Sequence, residues 1–312
     1  MVTRSCSYAF LFLVAFQSTI IKGDIVLPPP PQCSPVPAST LEKIEFVLNL
    51  IVYEAEFFLR SSVGLGINDI SPGLVQGPVP IGATVAELDN GTRNIIEEFG
   101  LSCVGHIRAI VDATVLNPPI TRPQLNFSAQ LFSGLINQVV NATLTPPFNI
   151  YANNNFLFAA VDASSLLRQY LTGIIPSIVG DDERRLVTGI AVDEAAVSGA
   201  LRAQLYARVN STVSPYTFTV ANLSALIAQL VNQIAGCGMK DEGLIVPLQL
   251  GAENRTTTNV VPADVYSLAF SRSERDILRV LFGTGNATRP GGFFPRGFNG
   301  ALFRRIQILG LS

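Results

Sequence analysis

Apolar residues recur at steps of three and four along most of the chain, a spacing that predicts long amphipathic helices. The first opens at Ser39, which pairs with Glu42 as a capping box. It carries Ile44, Leu48, Ile51, Ala55 and Phe58 on one face before Gly64 and Gly66 stop it. A second runs from about Thr92 to Thr114, with Ile96, Phe99, Cys103, His106 and Ile110 in register and Pro118 and Pro119 beyond its end. The third covers about Asn155 to Ile178 and is interrupted near Pro176; the fourth, about Asp182 to Val209, sets Leu186, Ile190, Glu194, Val197, Leu201 and Leu205 on one stripe. Thr219–Ala235 and Arg275–Phe282 follow as shorter helices, and the Gly- and Pro-rich stretch Asp69–Pro80 reads as a loop. Strand-like alternation is nearly absent. The predicted fold is all-α, an up-and-down helical bundle with additional C-terminal helices and long loops.

The N-terminus follows other rules. Residues 1–23 have one early cation, Arg4, an apolar run Tyr8–Phe16 and the small residue Gly23 ahead of Asp24, the layout of a secretory signal peptide. Residues 24–38 hold the run LPPPPQCSPVP and read as an extended Pro-rich linker. Residues 39–210 then form the bundle, and residues 211–312 a helical and loop extension packed on it. No transmembrane segment is expected, because the most apolar later stretch, near Asn155–Val179, carries Asp162, Arg168 and Gln169. Export is the implied route. Seven Asn-x-Ser/Thr sequons, at Asn90, Asn126, Asn141, Asn210, Asn222, Asn254 and Asn286, agree with it and would place glycans on solvent-facing positions in every third of the chain.

Charged residues make up 14% of the chain, below the roughly 25% of ordinary soluble domains, which favours a large buried core. The net charge of −2 comes with no basic block and no aromatic-basic interleaving, so nucleic acid is not an expected partner. Three cysteines outlast the signal peptide: Cys33, Cys103 and Cys237. All three pairings are open. Cys103 sits mid-helix on a core face, where a cysteine usually serves as a small hydrophobe, and this favours Cys33 with Cys237.

His106 is the only histidine, so a multi-histidine centre is impossible and any imidazole chemistry runs through this position. The other polar residues on core stripes are Cys103 and Glu194, with Glu54 and Glu56 bordering the stripe of the first helix. Carboxylate bundles that hold two metal ions take about four carboxylates and two Glu-x-x-His histidines, and half of that set is present. Gly283–Gly292 lacks the Gly-Lys-Ser/Thr end of a phosphate loop, and no Gly-x-Ser-x-Gly elbow occurs. A Cys103–His106 nucleophile pair would need an exposed thiol in positive surroundings, which a core stripe does not provide.

The strings IEFVLNLIVYEAEFFLR, SPGLVQGPVPIGA, IIEEFGLSCVGHIRAI, KDEGLIVPLQLGAENRTTTNVV and VLFGTGNATRPGGFFPRG resemble the desiccation-related protein family of plants, over about Cys33 to Gly297. The resemblance implies a ferritin-like bundle, with His106, Glu194, Glu54 and Glu56 as remnants of its metal site. It implies departures at Ile51, where relatives often carry Glu, at Cys103, where they carry Glu, and at Val197, where they often carry Gln. It also implies that Cys33 and Cys237 are family cysteines and Cys103 an addition. Two roles for His106 follow: a core imidazole bonded to Glu194 or a backbone carbonyl, or one ligand of a weak mononuclear site with Glu194, Glu54 or Glu56, and Cys103. The expected function is that of a secreted, glycosylated stress-related protein of the cell wall or apoplast. Its role would be protective or structural rather than enzymatic, its cofactors none beyond a weakly bound metal ion, and its client a wall polysaccharide or protein. The alternative is a catalase-like or oxidase-like metal oxidoreductase.

Overall fold

The computed structural model describes residues 32–152, 154–241, 243–246 and 255–312. The signal peptide, most of the Pro-rich linker and the sequon Asn254 lie outside the described residues. In chain order the helices are α1 (Thr40–Ser62), α2 (Ile67–Ile70), α3 (Asn90–Ala113), α4 (Ala129–Val139), α5 (Phe156–Ile174), α6 (Asp181–Tyr206), α7 (Val220–Ala235), α8 (Glu274–Phe282) and α9 (Ala301–Ile308). Two-residue strands β1 (Val75–Gln76) and β2 (Ile120–Thr121) pair in parallel, Val75 opposite Ile120.

Local signals set the ends of these helices. Ser39 accepts from the Glu42 amide, and the Glu42 carboxylate accepts from the Ser39 amide at 2.8 Å, the reciprocal box that starts α1. Asp89 caps α3 through the Thr92 amide. The same reciprocal box starts α7 (Thr219 with Asn222) and α8 (Ser273 with Asp276). Pro176 ends α5 in a single 3₁₀ turn, Ile175–Ser177, slightly short of the predicted end.

α1 packs chiefly on α3 and α5 chiefly on α6, while α1 against α5 and α3 against α6 close the bundle. α1 and α3 come close because position 100 is glycine: a Cβ there would lie 2.7 Å from Leu59 Cγ. The two pairs are joined by residues 114–155, a long crossover that carries β2 and α4. One long connection among four helices is the ferritin-like variant of the bundle, not one with short turns throughout.

A helix with a single apolar stripe should be wet on its other side, yet every residue of α1 from Phe46 to Leu59 is buried. The C-terminal segment covers that second face: Tyr53 meets Phe293 and Phe294, Phe46 meets Phe298, and the Asn299 amide donates to Asn49 at 2.8 Å. α9 packs on α1 as well. Buried guanidinium groups fasten this segment. Arg202 pairs with Asp241 at 2.9 Å and Arg272 donates to Gln169 at 2.7 Å. Arg279 reaches Asp276 at 3.2 Å and also donates to the carbonyls of Ala235, Gln32 and Ser312.

Cys33 is joined to Cys237 by a disulfide, and Cys103 is a free, buried thiol. Among the sequons, Asn90, Asn141, Asn210 and Asn222 are exposed. Asn126 and Asn286 are half-buried, their side-chain oxygens accepting from the amides of Ser128 and Thr288.

Candidate metal centre

Three of the four bundle helices send polar groups to one place. Cys103 and His106 stand three residues apart on α3 and therefore share a face. Glu194 comes from α6 and Glu54 from α1. Cys103, His106 and Glu194 each offer one ligand atom, and those atoms lie within 4.8 Å of one another. His106 Nδ1 is 3.3 Å from Glu194 Oε1 but lacks the alignment of a hydrogen bond. Its Nε2 faces Asp193 at 3.2 Å. His106 also forms one wall of an open depression of about 420 Å³ shared with Asp182 and Arg185, so the cluster has a route to solvent on this side.

Glu54 is 0% exposed and Glu194 1%. All four of their carboxylate oxygens, with His106 Nδ1, are buried without a hydrogen-bond partner. Burial raises the Glu54 carboxyl well above its ordinary range, and the neighbouring Glu194 charge adds to this. Burial raises Glu194 too, opposed by the adjacent His106 imidazole. For Cys103, burial and then the carboxylates of Glu194, Glu54 and Asp193 push the thiol well up, so it stays protonated in the absence of a cation. Such a group of orphaned buried polar atoms calls for a shared proton or a bound cation.

The predicted residues separate in space. Glu56, two positions from Glu54, points elsewhere: it pairs with Arg60 at 2.6 Å and with the buried Arg122. Glu56 therefore leaves the candidate ligand set. Asp193 joins it from outside, accepting from Ser102 Oγ at 2.7 Å and partly exposed. Its only sequence signal was adjacency to Glu194, because it falls off the apolar stripe. α5 gives the cluster no donor among the described residues. Its polar side chains Asp162, Ser165 and Gln169 instead line a separate small cavity with Asp241 and Arg272.

The donor set does not fit two metal ions. Ile51, one turn before Glu54, and Val197, one turn after Glu194, are buried apolar side chains, and the chain has a single imidazole. One ion does fit, bound by a nitrogen, one or two carboxylates and a sulfur, a mixed set that suits zinc better than a redox-active iron pair.

A four-helix bundle with one long crossover and inward carboxylate and imidazole groups defines a ferritin-like protein. Sequence comparison narrows the class. The chain is 39% identical over 313 aligned residues, 96% of this chain and all of the relative, to "Ferritin-like catalase Nec2" of Nesocodon mauritianus. It is 36% identical over 281 residues, 88% of this chain and 89% of the relative, to "Desiccation-related protein PCC13-62" of Craterostigma plantagineum. No family model and no solved structure matches it. The chain belongs to the plant desiccation-related, ferritin-like family.

Proposed function

We propose that the chain is a secreted, N-glycosylated stress-protective protein of the cell wall or apoplast, whose bundle centre has given up two-metal chemistry. One observation carries this reading: Cys103, Ile51 and Val197 stand where a two-metal bundle needs ligands, beside a single imidazole. The centre is then a proton-sharing pair, Glu54 and Glu194, or a weak site for one ion completed by His106 and Cys103. The relative named for desiccation supports the protective role. The disulfide and the four exposed sequon asparagines support the secretory route. Chemically, the client would be a wall polysaccharide or another protein.

The second reading is a catalase-like enzyme, favoured by the relative that carries this name along its whole length. One experiment separates the two. Native protein purified from a secreting plant host is assayed for metals, for peroxide consumption and for mobility after N-glycosidase. The protective reading expects less than one iron per chain, no peroxide loss above buffer and a clear mobility shift. About two irons per chain, with turnover that disappears in His106→Ala, would establish the enzyme instead.

A further inference from the structure

An apolar cleft with no part in the cluster runs between α4, α5, α7 and α8, with α1 at its floor. Its rim is made of partly exposed aliphatic side chains, among them Leu135 and Val139 of α4, Leu230 and Ile234 of α7, and Val280 of α8. The cleft offers about 90 Å³, smaller than the roughly 150 Å³ of an engineered cavity that takes up benzene. It can hold part of a small molecule, the rest lying across its open rim.

Two polar groups break the apolar lining. Asp162 projects from α5, and Tyr53 from α1 is only 4% exposed. Among the described residues neither the Asp162 carboxyl nor the Tyr53 hydroxyl makes a hydrogen bond or an ion pair. The nearby guanidinium groups lie outside the cleft and bond to other residues, Arg202 to Asp241 and Arg272 to Gln169. Neither oxygen is sealed in the core, and two partnerless polar groups on the wall of an apolar cleft are what a small-molecule site presents.

We propose that this cleft binds a small apolar alcohol or phenol, its hydroxyl held between Asp162 and Tyr53 and its hydrocarbon body against the α4 and α7 side chains. The head is hydroxyl-bearing for a chemical reason. A protonated carboxyl and a phenol can each both donate and accept, as an alcohol can, whereas an anionic head would find no cationic side chain among the residues that line the cleft. Burial, ahead of the neighbouring Asp241 charge, keeps Asp162 protonated up to about pH 8, in line with that role.

The chain has no tryptophan, so a fluorescent aromatic probe can be titrated into the full-length secreted protein without interference. 2-Naphthol is expected to bind one-to-one, with naphthalene at least about tenfold weaker, the equivalent of about 1.4 kcal/mol for the lost hydroxyl contacts. Asp162→Ala should weaken 2-naphthol about tenfold and leave naphthalene unchanged. Tyr53→Phe, which removes only an oxygen, should act in the same direction and stands in if the first variant folds poorly. Ala159→Phe, filling the half-buried rim, should abolish both. Equal affinity for the two probes, or no binding of either, would overturn the proposal. Tighter binding of 2-naphthylmethylammonium, lost in Asp162→Asn, would replace the alcohol site with an amine site.

Discussion

Replacing Asp162 by asparagine should flatten the pH dependence of stability between about pH 4 and about pH 8. Burial, and after it the Asp241 charge, pushes this carboxyl from its ordinary 3.8 up to about 8, against the pull of Arg202 and Arg272. Over that window the native state keeps a proton that the unfolded chain has released. Stability from this group is therefore fully present below the unfolded value and is lost as pH rises through the folded one. One such proton changes unfolding free energy by about 1.4 kcal/mol per pH unit, so the whole window spans at most about 6 kcal/mol. The true figure is lower, because Asp162 keeps part of its surface open.

Glu54, Glu194 and Glu274 are shifted the same way by burial, so the variant should retain a slope of the same sign. The difference between the two proteins isolates Asp162. Urea unfolding followed by far-ultraviolet circular dichroism, at several values from about pH 5 to about pH 8, gives that difference directly. Asp162→Asn should lose less stability per pH unit, by up to about 1.4 kcal/mol, and equal or exceed the parent at the alkaline end. Parallel pH profiles would refute the burial of an unpaired carboxyl at this position.

Other parts of the fold make separate predictions. Opening the Cys33–Cys237 bridge, which spans 204 residues, should cost about 5 kcal/mol on the chain-entropy account, read as a fall in the urea midpoint of Cys33→Ser. Cys103 should resist maleimide until the protein unfolds, and rapid native labelling would contradict its burial. Phe57→Ala removes a fully buried ring that stacks on Phe156 and packs on Phe127 and Phe132; it should destabilise by about 3–5 kcal/mol in chemical denaturation. Arg279→Met should cost about 3 kcal/mol, the lower end for a broken buried pair, because Asp276 keeps Lys240 as a partner. An unchanged melting temperature would mean that Arg279 does not fasten the segments at Gln32 and Ser312.

The helices that read clearly in the sequence were those with long stripes and strong caps. α1, α3, α6 and α7 begin within about two residues of the predicted positions because Ser39, Asp89 and Thr219 cap three of them, and the run of acidic residues at Asp181–Glu183 suits the start of the fourth. α9 escaped because it has only eight residues and starts behind Gly300 without a side-chain cap, whereas α4, eleven residues behind the Ser128 cap with Phe132 and Ile136 on one face, carried a pattern that was legible but not picked out. The burial of α1 on every side was also invisible, since the aromatic residues that cover it, Phe293, Phe294 and Phe298, lie far away in a segment that reads as turns.

The site divides along the same line. Cys103, His106 and Glu194 were legible because a polar residue on an apolar stripe must face the core, and periodicity finds stripes. Glu54 and Glu56 border one stripe equally in sequence, and only the packing of Arg122 against Glu56 tells them apart. Asp162 and Tyr53 could not be read as partners at all. Each was one polar tip on a helix buried nearly all round, where periodicity loses its contrast, and their convergence exists only once α7 and α8 roof the cleft above them. In a bundle with few charged residues, the chemistry is therefore better sought among the polar atoms that packing leaves without partners than among those the sequence pattern singles out.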